Sequence, residues 1–344
     1  MTTHPSPRSS PPTPLPPSAT TAAAREAAGT PAAQTAPIPG PVPLREPGAA
    51  PVRRSAGLRW LAAVIQTSRP RQWPKNLLVL AAPLAGASMG RHNGGLYALV
   101  AFVAFVAASS AVYFVNDVAD AERDRRHPVK RSRPIAAGLL PPWQALAVAI
   151  VAVGLALASG FLISAPWLSV TIAVYLAVSF LYSLFLKHVP VLELACVASG
   201  FVLRAVGGAA ATHVPPSGWF LAVISLGALM VAVAKRRGEL SSLGAQAARH
   251  RPVMRWYSYR VLCVLGRAIA AGIIVCYALW AVSSFGGSRE AWHLVSVVPL
   301  AVALARFDWL SLRGAARPVE DLIITDRVMV SAELAWLATF ALGM

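Results

Sequence analysis

The chain has 344 residues, of which 56% are apolar and only 13% charged, with a mean hydropathy of +0.57. A soluble domain carries about 25% charged residues, so this balance excludes an ordinary water-soluble enzyme and points to an all-α, polytopic membrane protein. The formal charge of +17 does not point to nucleic acid, because Lys and Arg sit in short loops between apolar runs and not on one soluble patch.

Residues 1–56 hold 14 of the 28 prolines, mixed with Ala, Thr and Ser. Such a segment buries too little apolar area to offset its chain entropy and reads as a disordered tail. Residues 57–344 read as one transmembrane domain. It opens with a short amphipathic stretch at 58–69, flanked by Arg, which suits an interfacial helix. Nine membrane spans follow, near 75–90, 95–115, 142–163, 167–186, 191–211, 218–234, 258–283, 291–311 and 326–343. Nearly all Lys and Arg fall in one set of alternate loops: 116–141, 187–188, 235–255 and 313–327. The opposite set carries only Arg91 and Arg289. The positive-inside rule then places the first set, and the N-terminus, on the cytoplasmic side of the plasma (inner) membrane. Cys196, Cys263 and Cys276 lie in apolar runs without metal or disulfide spacing and read as small buried hydrophobes.

The polar stretch 116–138 holds the densest chemistry. Asp117, Asp120 and Asp124 stand at i, i+3 and i+7, within about 60° of arc on a continuous helix. Three stacked carboxylates repel unless a cation sits among them, so they are candidate Mg²⁺ ligands, with Asn116 beside them. Lys130, Arg131 and Arg133 follow and suit the oxygens of a polyphosphate. The plainer alternative is a solvated loop whose acids pair with its own arginines.

Three further groups lie on the same side. Tyr182, Lys187, His188 and Glu193 lead into a span that also carries Arg204. Ionisable residues inside a span are costly and usually face a polar space. Glu193 and Arg204 share a helix face about three turns apart, too far for a direct pair. Lys235, Arg236 and Glu239 close the sixth span as candidate phosphate or structural contacts. Arg69, Arg71, Lys75 and Asn76 precede the first span and suit a lipid phosphate at headgroup level.

The run Asn116-Asp117-x-x-Asp120-x-x-x-Asp124, with His127-Pro128-x-Lys130-x-x-Arg133-Pro134-x-Ala136-x-Gly138, resembles the first aspartate-rich motif of the UbiA superfamily of intramembrane prenyltransferases. The resemblance covers nearly all of 69–343 and implies nine helices around a central cavity open to the cytoplasm, with Mg²⁺-dependent diphosphate binding. The superfamily's second motif usually offers two aspartates four residues apart; the matching positions here are Glu193 and Val197. That departure, with Lys187-His188 and Lys235-Arg236-x-x-Glu239, resembles the decaprenyl-phosphate phosphoribosyltransferase branch. The branch moves phosphoribose from phosphoribosyl pyrophosphate (PRPP) to decaprenyl or another polyprenyl phosphate, for cell-wall arabinan synthesis.

On that resemblance Asp117, Asp120, Asp124, Lys187, Glu193 and Arg204 are expected to be catalytic. Substrate contacts are expected from Asn116, Lys130, Arg131, Arg133, Tyr182, His188, Lys235, Arg236, Arg71, Lys75 and Asn76. The expected partners are PRPP, the polyprenyl phosphate, the bilayer and a further copy of the chain in a homo-oligomer. The rival readings are an aromatic prenyltransferase using a prenyl diphosphate and a carrier for a phosphorylated lipid.

Overall fold

A computed structural model describes residues 56–86, 88–90, 93–244, 252–313 and 325–344. The proline-rich tail, apart from Ala56, and the basic loop residues 245–251 and 314–324 lie outside them.

The described chain is built from helices. Helix α1 (Ala56–Thr67) buries Ala63 and Thr67 and leaves Leu58, Leu61 and Ile65 exposed on one stripe, the pattern of a helix lying on lipid. A 3₁₀ segment (Pro70–Leu80) and a five-residue α2 (Ala81–Ala85) come next. Then follow α3 (Gly94–Ala119), the short α4 (Ala121–Arg125), α5 (Pro142–Leu162), α6 (Pro166–Leu184), α7 (Leu192–Ala211) and α8 (Gly218–Leu243). The series closes with α9 (Tyr259–Ser284), α10 (Gly287–Arg313) and α11 (Arg327–Leu342). Ser217 caps α8 by accepting from the Phe220 N–H, and Asp326 caps α11 by accepting from Met329.

Seven described helices, α3 and α5–α10, are long and apolar enough to cross a bilayer. Two of the nine expected spans fall short. The one expected at 75–90 is the 3₁₀ segment followed by α2, because Pro70, Pro74 and Pro83 remove donors from the α-helical ladder. The one expected at 326–343 is α11, whose 16 residues are fewer than the roughly 20 that span the hydrocarbon. The long spans expose large apolar side chains such as Ile150, Leu155, Leu162, Val264 and Val298. Such a surface is stable in hydrocarbon and not in water, and the protein is a multi-pass membrane protein.

Each long helix packs on its successor: α3 on α5, α5 on α6, and so on to α10 on α11. The linkers at 163–165, 212–217 and 285–286 are short, so neighbours run antiparallel and these linkers share one end of the bundle. The C-termini of α3, α6, α8 and α10 and the N-termini of α5, α7, α9 and α11 therefore share the other end. Small residues set the approach. Ala98, Ala101, Ala104, Ala108 and Ala111 of α3 are buried, as are Ala145, Ala149 and Ala156 of α5. Gly208 of α7 touches the Val79 carbonyl so closely that a Cβ would collide with it, which seats the 3₁₀ segment against α7.

Candidate active site

The sequence places its acids and bases at the end of the bundle where α3, α6, α8 and α10 finish. The aspartate stretch does not form one continuous helix there. Helix α3 stops at Ala119, and Asp120 (φ −91°, ψ −2°) is the junction to α4. Asp117 and Asp124 turn inward and are buried. One Nη1 of Arg133 lies 2.7 Å from Asp124 Oδ2 and 3.2 Å from Asp117 Oδ1. Arg69 donates to the same Asp117 oxygen at 2.6 Å and stacks over the Tyr113 ring at 4.7 Å. Asp120 instead pairs with Arg123 at 2.7 Å on the partly exposed side.

The expected stripe of three carboxylates is thus a buried pair plus one outward acid. Among the described residues no three Asp, Glu, His or Cys side chains converge as metal ligands. The physical reason is that buried carboxylates require an opposite charge, and Arg133 and Arg69 supply it. Asp124 Oδ1 is buried without a hydrogen-bond partner. Two buried carboxylates with a free oxygen fit a small, oxygen-seeking divalent cation that completes its shell with water and substrate oxygens. Asp117 and Asp124 would hold it.

The rest of the basic run divides. Arg125 and Arg126 pair with Glu122 on the surface. The His127 Nδ1 accepts from the Val129 and Lys130 N–H groups and so shapes the turn. Lys130 is half-buried and Arg131 exposed on that turn, while Asn116 is half-buried at the end of α3.

A second centre lies deeper. Arg204 donates Nε to Asn76 Oδ1 (2.7 Å), Nη1 to the Gly200 carbonyl (2.6 Å) and Nη2 to the Tyr175 hydroxyl (3.0 Å). Its guanidinium also stacks on the Tyr175 ring at 4.7 Å. Asn76 therefore departs from the expected headgroup position. It is buried and holds Arg204, while its Nδ2 has no hydrogen-bond partner. Arg71 and Lys75 remain on the 3₁₀ segment, exposed and half-buried.

The third centre joins α7 to α8. Glu193 is fully buried and accepts from Arg236 Nε at 2.6 Å. Arg236 Nη1 also donates to both oxygens of Glu239, at 2.7 and 2.8 Å. Arg236, expected at a phosphate, is thus a buried internal cation, because residue 236 turns into the bundle while Lys235 stays exposed. Tyr182 lies within electrostatic reach of Arg236. The Tyr257 hydroxyl accepts the Val191 N–H at 3.0 Å and lies within electrostatic reach of Glu193. Burial, with the Glu193 charge adding to it, lifts the Tyr257 phenol above its ordinary value and keeps it protonated. Lys187 is half-buried on a 3₁₀ turn (Leu186–His188) between α6 and α7; the His188 side chain lies outside the described residues.

Residues 76–320 match the UbiA prenyltransferase family. The chain belongs to that family. The decaprenyl-phosphate phosphoribosyltransferase of Mycobacterium tuberculosis (strain H37Rv) is 40% identical over 283 residues, covering 81% of this chain and 93% of that protein. The protein of the same name from Corynebacterium glutamicum is 36% identical, covering 79% of this chain and 84% of the relative. Among solved structures, a digeranylgeranylglyceryl phosphate synthase superposes with a TM-score of 0.62 at 14% identity, over 82% of this chain and 99% of that one. A UbiA homologue from Archaeoglobus fulgidus, bound to GPP and Mg²⁺, gives 0.56 at 15%, over 84% and 98%. These two show a shared fold.

Within this UbiA fold, sequence reasoning missed Tyr175, Tyr257 and the Arg237–Asp308 pair (2.7 Å) that ties α8 to α10. Tyr175 carried no signal, being one aromatic in an apolar run. Arg69 stood in a noticed cluster, but its role beside Asp117 was not legible.

Proposed function

We propose that the protein transfers 5-phosphoribose from PRPP to decaprenyl or another polyprenyl phosphate and releases pyrophosphate. The observation that carries this reading is the 36–40% identity to decaprenyl-phosphate phosphoribosyltransferases over most of both chains. The buried Asp117–Asp124 pair supports it, since a pyrophosphate needs divalent metal and basic side chains close together.

The reaction needs little proton chemistry. An oxygen of the lipid phosphate, already anionic, forms a bond to the ribose anomeric carbon as the bond from that carbon to pyrophosphate breaks. The leaving group carries the electron pair away, so no strong general base is required. Mg²⁺, when bound by Asp117 and Asp124, supplies charge neutralisation for the pyrophosphate. Lys130, Arg131 and Arg133 then contact its remaining oxygens, with Asn116 and Asp120 at the rim of that contact. Glu193, enclosed and steadied by Arg236 and Tyr257, meets a ribose hydroxyl once PRPP displaces part of that enclosure. Carboxylates nearby favour the positive charge that develops at the ribosyl carbon. Lys187, with Arg204 and Asn76 below it, receives the lipid phosphate, and Arg71 and Lys75 draw that headgroup in. The acid-bearing end faces the cytoplasm, where the basic loops lie, and where PRPP, too polar for lipid, is available.

Purified protein supplied with PRPP, a polyprenyl phosphate and Mg²⁺ forms phosphoribosylated lipid and pyrophosphate in equal amounts. Turnover of a prenyl diphosphate with an aromatic acceptor, and none of PRPP, would overturn the reading.

A further inference from the structure

Helix α7 begins in an unusual way. Val191 has φ +67° and ψ −51°, and the Leu192 N–H donates to the Pro190 carbonyl at 2.7 Å. This is a γ-turn of positive φ, a strained form, and its centre is a β-branched residue that sterically opposes it. The next residue but one is Glu193. Something outside the turn must hold it.

Tyr257 meets that need. Its hydroxyl accepts the Val191 N–H at 3.0 Å and lies beside the Glu193 carboxylate, whose charge acts on it. Tyr257 is itself anchored: it follows a 3₁₀ turn (Pro252–Trp256) whose Val253 and Met254 are buried against Leu240 and Leu243 of α8. That turn also packs on the 3₁₀ turn that carries Lys187. One phenol therefore links the strained start of α7, the Glu193 carboxylate and the segment beside Lys187.

We propose that Tyr257 is a positioning residue for the transfer reaction, a latch that holds the Val191 turn and thereby fixes Glu193 for the phosphoribosyl donor. This rests on the reading of the site given above. Without the hydroxyl, the turn relaxes, the start of α7 shifts and the donor-facing carboxylate loses its aim. The lipid acceptor is affected little.

The test uses the full-length protein and two variants. Tyr257→Phe keeps the ring and its packing and loses only the hydroxyl. Its KM for PRPP rises about tenfold while the KM for polyprenyl phosphate stays within about twofold. Glycine takes positive φ without steric cost, so Val191→Gly removes the demand for the latch. The double variant Val191→Gly/Tyr257→Phe recovers most of the lost donor affinity. Hydrogen exchange without substrate gives a readout independent of activity: amides of 189–195 exchange faster in Tyr257→Phe than in wild type. Unchanged exchange in that segment overturns the latch, and so does an unchanged donor KM or a double variant no better than the single one. Wild type without PRPP turnover, but with the exchange difference present, sinks the functional reading and leaves the latch standing.

Discussion

Arg236 donates its Nε to the Glu193 carboxylate at 2.6 Å, and neither side chain is more than 2% exposed. A pair this deep is costly to desolvate and still more costly to break. Removing one partner leaves a buried charge without its counter-ion, a loss of about 3–5 kcal/mol. Arg236→Met should therefore lower the melting temperature in detergent strongly. The double change Glu193→Leu/Arg236→Met should recover much of that stability without recovering activity. Equal melting of wild type and Arg236→Met would show that the pair carries no such coupling.

The two inward aspartates and the outward one should separate in activity. Asp117→Asn and Asp124→Asn are expected to lower Mg²⁺-dependent turnover by about 100-fold or more. Asp120→Asn should cost less, since Asp120 faces Arg123 away from the buried pair. Initial rates at saturating Mg²⁺, with folding checked by chromatography, decide this. An Asp120 effect as large as that of Asp124 contradicts the placement.

Arg133 occupies Asp117 Oδ1 and Asp124 Oδ2, beside the open Asp124 Oδ1 at which a metal would bind. In Arg133→Ala, Asp124 loses this cation and Asp117 keeps only Arg69, so the metal-free protein should melt lower. Added Mg²⁺ should then raise its melting temperature by more than it raises that of wild type, following the usual linkage of binding to stability. The check is a melting series against Mg²⁺ concentration, with EDTA as the zero point. An equal Mg²⁺ response in both proteins rules out competition between Arg133 and the metal.

Asp326 joins two elements. It accepts from both Arg306 nitrogens, at 3.0 and 2.8 Å, and caps α11 through Met329. These hydrogen bonds, that to Arg306 foremost, hold its carboxyl down at about 2. Its folded value is below its unfolded value of 3.8. The stabilisation is therefore present above about pH 4 and is lost as pH falls through about 2. Wild type should out-melt Asp326→Asn at pH 6, and the gap should narrow steadily below pH 4. A gap that does not depend on pH excludes the charge as its source.

Gly208 lies against the Val79 carbonyl with no space for a methyl group. Gly208→Ala should force the 3₁₀ segment away from α7 and cost about 1–3 kcal/mol. Because Asn76 rides on that segment and holds Arg204 at 2.7 Å, turnover should fall along with the melting temperature. Unaltered activity in this variant would separate Arg204 from the reaction.

How much of this was legible beforehand depends on range. The apolar composition, the length of the runs and the sign of the loop charges are local properties. They were enough for a membrane bundle, for most helix boundaries and for the aspartate-rich stretch as the main chemical feature. The broken first span was also written locally, in Pro70, Pro74 and Pro83, but the apolar run around them hid it.

The partners of the charges were another matter. A helical wheel put Asp117, Asp120 and Asp124 on one stripe, yet the junction at Asp120 splits them, and only the fold brings Arg133 between the outer two. Arg204 meets Asn76 across 128 residues of sequence, and Arg236 meets Glu193 across 43. Such pairs depend on how deep each helix sits and how it is rotated, which the small-residue contacts of α3, α5 and α7 decide together. The sequence by itself determined that most charged groups would gather at one end of a membrane bundle, because charge within the hydrocarbon is costly and basic loops favour one side. Which carboxylate turns to which guanidinium was decided only by the tertiary structure, because burial demands a partner without saying which one.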